Sequence, residues 1–151
     1  MFPRARHHSR PTALLGLVSA IGLAVSGTVI SGATAGAQGE PPPPLRNVKY
    51  TLFAEQPTYV QIYYRDVDPP NWADYSHNPY VFSPKTEASI GPDAQWNLDV
   101  ALANPDEWAM VTATSGQGMA TPNVHCVLAV DGVVVSTHQA PRGALCSIRN
   151  W

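Results

Sequence analysis

Charge is scarce in this 151-residue chain: only 13% of its residues are Asp, Glu, Lys or Arg, about half the share of an average soluble protein. The little there is lies unevenly. After Arg4, Arg6 and Arg10 no charged residue occurs until Glu40. All 11 acidic residues stand from Glu40 onward beside six of the nine basic ones, a formal charge of −5 for that part. It contains no basic run, and binding to nucleic acid needs Lys and Arg that displace counterions from phosphates. That class of function is excluded. Cysteine is also rare, with two in the chain. From Leu45 onward no stretch of ten or more residues carries a convincing helical apolar stripe. In their place stand 15 prolines and 11 glycines, the punctuation of short strands and turns.

The N-terminal segment has the layout of an export signal. Residues 1–10 are basic, residues 11–39 carry no charge, and residues 13–30 are mostly apolar. Ala35-Gly36-Ala37 then fits the small-x-small rule of signal peptidase, with cleavage before Gln38, and Ala33-Thr34-Ala35 fits two residues earlier. The alternative is a retained membrane anchor, because 18 apolar residues just span a bilayer. Under either reading the rest of the chain is exported, to the outer side of the membrane or beyond. Residues 1–37 are thus assigned to a signal peptide or anchor and residues 38–45 to a spacer. Pro41 to Pro44 would stiffen that spacer as polyproline II.

Residues 46–151 form the folded domain. Runs at 48–53, 58–65, 96–102 and 108–114 alternate apolar and polar side chains and are rich in β-branched and aromatic types, the pattern of half-buried antiparallel strands. The strongest local signal is Asp131-Gly132 between two alternating runs, which predicts a two-residue type I′ hairpin. With a last strand near 145–149, about seven strands fit an all-β domain. The expected fold is a small antiparallel β-sandwich, Ig-like in size and strand number. An even cysteine count in an oxidising compartment predicts a structural disulfide between Cys126 and Cys146.

One connection stands out. Between Asp68 and Trp96, the aromatics Trp72, Tyr75, Tyr80 and Phe82 sit among turn-forming residues. They are candidates for contact with a ligand or partner, since aromatic side chains offer rigid amphipathic area. The competing expectation is that they fold back and cap one end of the sandwich. Asp66, Asp68 and Asp74 lack the turn glycine and closing glutamate of a calcium loop. His77, His125 and His138 do not have zinc spacing, although His125 and His138 could face each other across the hairpin. No metal and no cofactor is expected. There is no Gly-x-Ser-x-Gly and no credible nucleophile, base and acid set, so the chain does not read as an enzyme.

Several elements together resemble a known family. They are Val48-Lys49-Tyr50, then Ile62-Tyr63-Tyr64-Arg65-Asp66-Val67-Asp68, then Trp96, then Cys126-Val127-Leu128-Ala129-Val130-Asp131-Gly132-Val133-Val134, and finally Cys146. Their order is similar to that of the mycobacterial membrane protein small (MmpS) family. The resemblance implies a compact periplasmic β-sandwich acting as an accessory subunit of an MmpL transporter of the resistance-nodulation-division class. Such assemblies export lipids or siderophores. Three departures accompany it: a more cleavable N-terminus, Val127 in place of the Arg that commonly follows the cysteine, and the longer connection after Asp68. A second expectation is a free secreted sandwich that binds a small apolar ligand or an envelope component.

Overall fold

The computed structural model describes residues 41–118 and 121–150. Residues 1–37, assigned above to a signal peptide or anchor, and residues 38–40 of the spacer lie outside the described residues. Eight strands form two four-stranded antiparallel sheets: β1 (Arg46–Ala54), β2 (Thr58–Tyr64), β3 (Lys85–Ile90), β4 (Trp96–Leu102), β5 (Met110–Thr114), β6 (Val124–Val130), β7 (Val133–Ala140) and β8 (Gly143–Ser147). One sheet runs β4-β1-β6-β7 and the other β3-β2-β5-β8. The chain is an antiparallel β-sandwich.

Period-two alternation decides which side chains meet between the sheets. Val48, Tyr50, Leu52 and Ala54 of β1 turn inward with Val124, Cys126, Leu128 and Val130 of β6. Val60 and Ile62 of β2, Val111 and Ala113 of β5, and Ile90 of β3 face them from the second sheet. Each fully buried Val, Leu or Ile contributes roughly 1.5–3 kcal/mol relative to exposure. This inner layer is therefore what holds the two sheets together.

The expected hairpin is present. Asp131 has φ 50° and Gly132 φ 80°, the positive values that a type I′ turn needs at both central positions. Asp131 also secures the start of β1. Its carboxylate accepts hydrogen bonds from Arg46 Nε at 2.8 Å and Asn47 N–H at 3.0 Å. The register slips between Leu128 and Ala129, which places a bulge in β7 near Val135.

Three strand expectations are corrected. β3 is an eighth strand, and it divides what the sequence presents as one long connection. Its residues Lys-Thr-Glu-Ala-Ser-Ile carry little β-branched or aromatic content, so only pairing along β2 marks them as a strand. Trp108 does not begin β5. It ends a short helical turn, α2 (Pro105–Trp108), started by a proline at its first position. The last strand begins at Gly143, two residues before its expected start, because it pairs with β5 from Thr114.

Cys126 of β6 and Cys146 of β8 form a disulfide across the two sheets, as the cysteine count predicts. Gly143 is required by a close approach: a Cβ there would stand 2.6 Å from the carbonyl oxygen of Ala113.

Two outcomes follow for stability. Replacing both cysteines by alanine removes a loop closure over a sequence separation of 20 and should lower the unfolding free energy by about 3 kcal/mol, read from urea midpoints. Gly143→Ala must push β8 from β5, and its urea midpoint should fall while Gly118→Ala, where nothing lies near the added methyl, leaves the midpoint unchanged.

Candidate binding site

The segment between β2 and β3 rises over one end of the sandwich and carries the four aromatic candidates. It contains a helix, α1 (Trp72–His77), and a 3₁₀ turn over Pro79–Val81. Asn71 caps α1: its side-chain oxygen accepts the Asp74 N–H at 2.9 Å and its amide donates to the Asp74 carboxylate at 2.8 Å. His77 closes the same helix through a 2.7 Å contact between Nδ1 and the Ala73 carbonyl.

Arg65, immediately after β2, fastens this segment from below. It is fully buried. Its Nη1 donates to the Phe82 carbonyl at 2.6 Å and to the Ser83 hydroxyl at 2.9 Å, and its Nε reaches the Trp108 carbonyl at 3.4 Å. The guanidinium also lies 4.5 Å from the centre of the Tyr75 ring and 5.8 Å from that of Trp108. Below it, the buried Tyr50 hydroxyl donates to the Arg65 carbonyl at 2.8 Å. Burial pushes the Tyr50 hydroxyl well above the ordinary tyrosine pKa, so it remains a donor.

Trp72 completes the cluster. Its ring lies 5.0 Å from Trp108 and 5.3 Å from Tyr75, while the Arg149 guanidinium sits 3.9 Å from its ring centre. Trp72 and Tyr75 therefore fold back as caps, bracketed by Arg65 and Arg149. Phe82 is half-buried and contributes its carbonyl to Arg65. Tyr80 alone of the four projects, at 73% exposure, and its ring centre stands 6.5 Å from that of Tyr63. Between them opens a concavity of about 360 Å³ lined by Tyr63, Tyr75, Pro79, Tyr80, Ser83 and Met110. Its lining offers aromatic faces, hydroxyls and a thioether, with no carboxylate or imidazole.

Two acidic residues of the same stretch, Asp68 and Asp74, serve the fold. Asp68 accepts the backbone N–H groups of Ala103 at 2.7 Å and Asn104 at 2.9 Å, which pins the segment to the start of α2. Asp74 is engaged by Asn71. No group of three or more His, Cys, Asp or Glu side chains with metal-binding geometry occurs among the described residues. His125 and His138, which could have faced each other across the hairpin, are not paired with one another. His125 lies opposite Gln139 and His138 opposite Cys126, so the imidazoles take opposite faces of the sheet. His125 instead stacks on Phe53 at 4.6 Å and contacts Glu55 at 3.1 Å. These two rings, with His138, line a second depression of about 500 Å³ on the other sheet.

Sequence reasoning missed Arg65, Trp108 and Arg149. A buried guanidinium has no compositional signal, and the farthest partner of Arg65 in sequence, Trp108, is 43 residues away. The one available clue was Arg65 itself, a lone basic residue ending an otherwise apolar and aromatic strand.

Arg65→Lys keeps the charge but loses the planar fork that reaches two carbonyls and a hydroxyl. It should lower stability by about 2–4 kcal/mol and speed amide exchange across residues 71–83, measured by mass spectrometry. Acid should weaken the fold in a defined direction. The Asn123 amide and His125 hold the Glu55 carboxyl below the ordinary range, Tyr59 and Lys85 do the same to Glu87, and Arg46 does so to Asp131. The folded chain thus binds these protons less readily than the unfolded chain. Their contribution is complete above the unfolded carboxylate values and disappears as pH falls through the lower folded ones. The melting temperature should be flat above about pH 5 and fall below about pH 4.

Over residues 50–146 the chain matches the family described as the Rv2576c beta-sandwich domain. It is similar to the uncharacterized proteins Rv2576c and MT2652 of Mycobacterium tuberculosis and Mb2606c of Mycobacterium bovis. Each is 31% identical over 135 residues, covering 89% of this chain and 83% of the relative. The matched region runs from Tyr50, which holds the Arg65 carbonyl, to the second cysteine of the disulfide. The chain belongs to the Rv2576c beta-sandwich domain family.

Proposed function

We propose that this domain is an exported, non-catalytic recognition module that binds an envelope component in the groove between Tyr63 and Tyr80. The observation that carries the reading is the exposure of Tyr80. A solvated tyrosine is held 6.5 Å from a second one by a segment whose Trp72 and Tyr75 pack against Trp108 and whose backbone is fastened by a buried arginine. Such a site has its side chains positioned before the ligand arrives, which reduces the ordering cost of binding. The disulfide supports export, because disulfides persist in oxidising compartments. The groove lining has no acid, base or nucleophile set, which supports binding without chemistry.

A second reading keeps the role implied by the resemblance to the MmpS family, an accessory of an MmpL-type transporter of lipid or siderophore. It is favoured by Val133, Val134 and Val135. They are consecutive and exposed on edge strand β7, inside the hairpin that carries much of that resemblance, and would suit a protein partner.

The purified disulfide-bonded domain should be titrated with a long-chain fatty acid, an aryl siderophore and neutral oligosaccharides, following melting temperature and tryptophan emission. At a ligand concentration of 100 times Kd the expected stabilisation is about 2.7 kcal/mol. Tyr80→Ser should abolish that shift and leave the unliganded melting temperature unchanged. Recovery of a multi-span transporter after mild cross-linking in cells, with no ligand shift in the isolated domain, would favour the second reading instead.

A further inference from the structure

The groove is one end of a larger surface. On β2, Tyr59, Gln61 and Tyr63 all point away from the core. The pairing register extends them into rows across the sheet: Ser89 beside Tyr59, then Glu87, Gln61 and Thr114, then Lys85, Tyr63, Thr112 and Leu145. Tyr59 and Tyr63 are four residues apart, about 13 Å along the strand. Gln61 lies between them, and Tyr80 stands beside the Tyr63 end. The face therefore presents rings separated by amide and hydroxyl groups that can both donate and accept hydrogen bonds.

Its charges cancel locally. Lys85 Nζ lies 2.9 Å from the Glu87 carboxylate, and the Tyr59 hydroxyl donates to the same carboxylate. An anionic ligand would meet a lysine already neutralised by Glu87, in a domain of net negative charge. A purely aliphatic ligand would cover Gln61, Thr112 and Thr114 without satisfying them, which is unfavourable. A neutral sugar chain meets both demands. The C–H face of each ring can lie on a tyrosine, whose π-face is negative, while its hydroxyls exchange hydrogen bonds with the amide and hydroxyl rows. The 13 Å spacing suits an extended oligosaccharide of a few rings.

We infer that the outer face of the β3-β2-β5-β8 sheet, from Tyr59 through Gln61 to Tyr63 and Tyr80, binds a neutral oligosaccharide. This rests on the reading of the tyrosine groove as a recognition site, and it names the ligand class and the direction in which the ligand runs.

The test is a titration of the isotope-labelled domain with maltohexaose, cellohexaose and a linear arabinan hexamer, followed by amide chemical shifts. At least one should bind, with shifts along β2 from Tyr59 to Tyr63. Tyr59→Ala, outside the groove, should weaken that binding about fivefold to tenfold, Gln61→Ala about threefold, and Tyr80→Ala about tenfold. Tyr59→Phe, which keeps the ring, should retain most of it. All are exposed positions, and an unchanged melting temperature shows that each variant is folded. Fatty acid or siderophore binding that depends on Tyr80 but not Tyr59, with no oligosaccharide bound at about 10 mM, overturns the sugar assignment and leaves the groove reading intact. Absence of binding by all the probes overturns both.

Discussion

A fully buried guanidinium organises one end of this sandwich. Taking an arginine out of water is costly unless its donors and its positive face find partners. Arg65 finds two carbonyls, a hydroxyl and two aromatic faces, supplied by residues 75, 82, 83 and 108, which belong to three different parts of the chain. Each of these groups is in turn positioned by satisfying the arginine. Losing the guanidinium would therefore release the α1 segment, the entry to β3 and the end of α2 together. The apolar layer between the sheets makes the domain stable. Arg65 gives the region above it a single arrangement.

Much of the architecture was legible because period-two alternation is written directly in the sequence. Val48 to Phe53, Trp96 to Leu102 and the Asp131-Gly132 hairpin have both the pattern and the turn chemistry, and they fold as those local rules require. β3 was not legible because Lys85, Glu87 and Ser89 face solvent and its inward positions hold Thr86 and Ala88 beside one Ile. It is a strand through its neighbour, and its own preferences are weak. Trp108 misled for the opposite reason. Its alternation with Met110 and Thr112 is real, but Asn104-Pro105 starts a helical turn that ends on it.

The aromatic connection divides in a way no linear pattern could show. Trp72 and Tyr75 stand three apart on α1 and so share a side of the helix, where they meet Trp108. Tyr80 follows the proline that opens a 3₁₀ turn and points elsewhere. Within one segment, therefore, Trp72 and Tyr75 pack back on the sandwich and Tyr80 stays exposed. What separated them was the position of Arg65 and Arg149, which draw Tyr75 and Trp72 inward and leave Tyr80 beside Tyr63. Of the acidic residues that drew attention as ligands, Asp68 holds two backbone amides in place and Asp74 accepts the side-chain amide of Asn71.

The disulfide has a consequence for chemistry in time. Cys126 and Cys146 are essentially inaccessible to solvent, and β8 is only five residues long, the last strand of its sheet. A thiolate must reach a sulfur atom directly to exchange with it, so no reductant can act while β8 is in place. Where exchange is fast compared with reclosure, the rate of reduction becomes independent of thiol concentration and equals the rate at which the strand lifts away. The bond then acts as a clock for the opening of this corner of the protein, one that can be read without any added label.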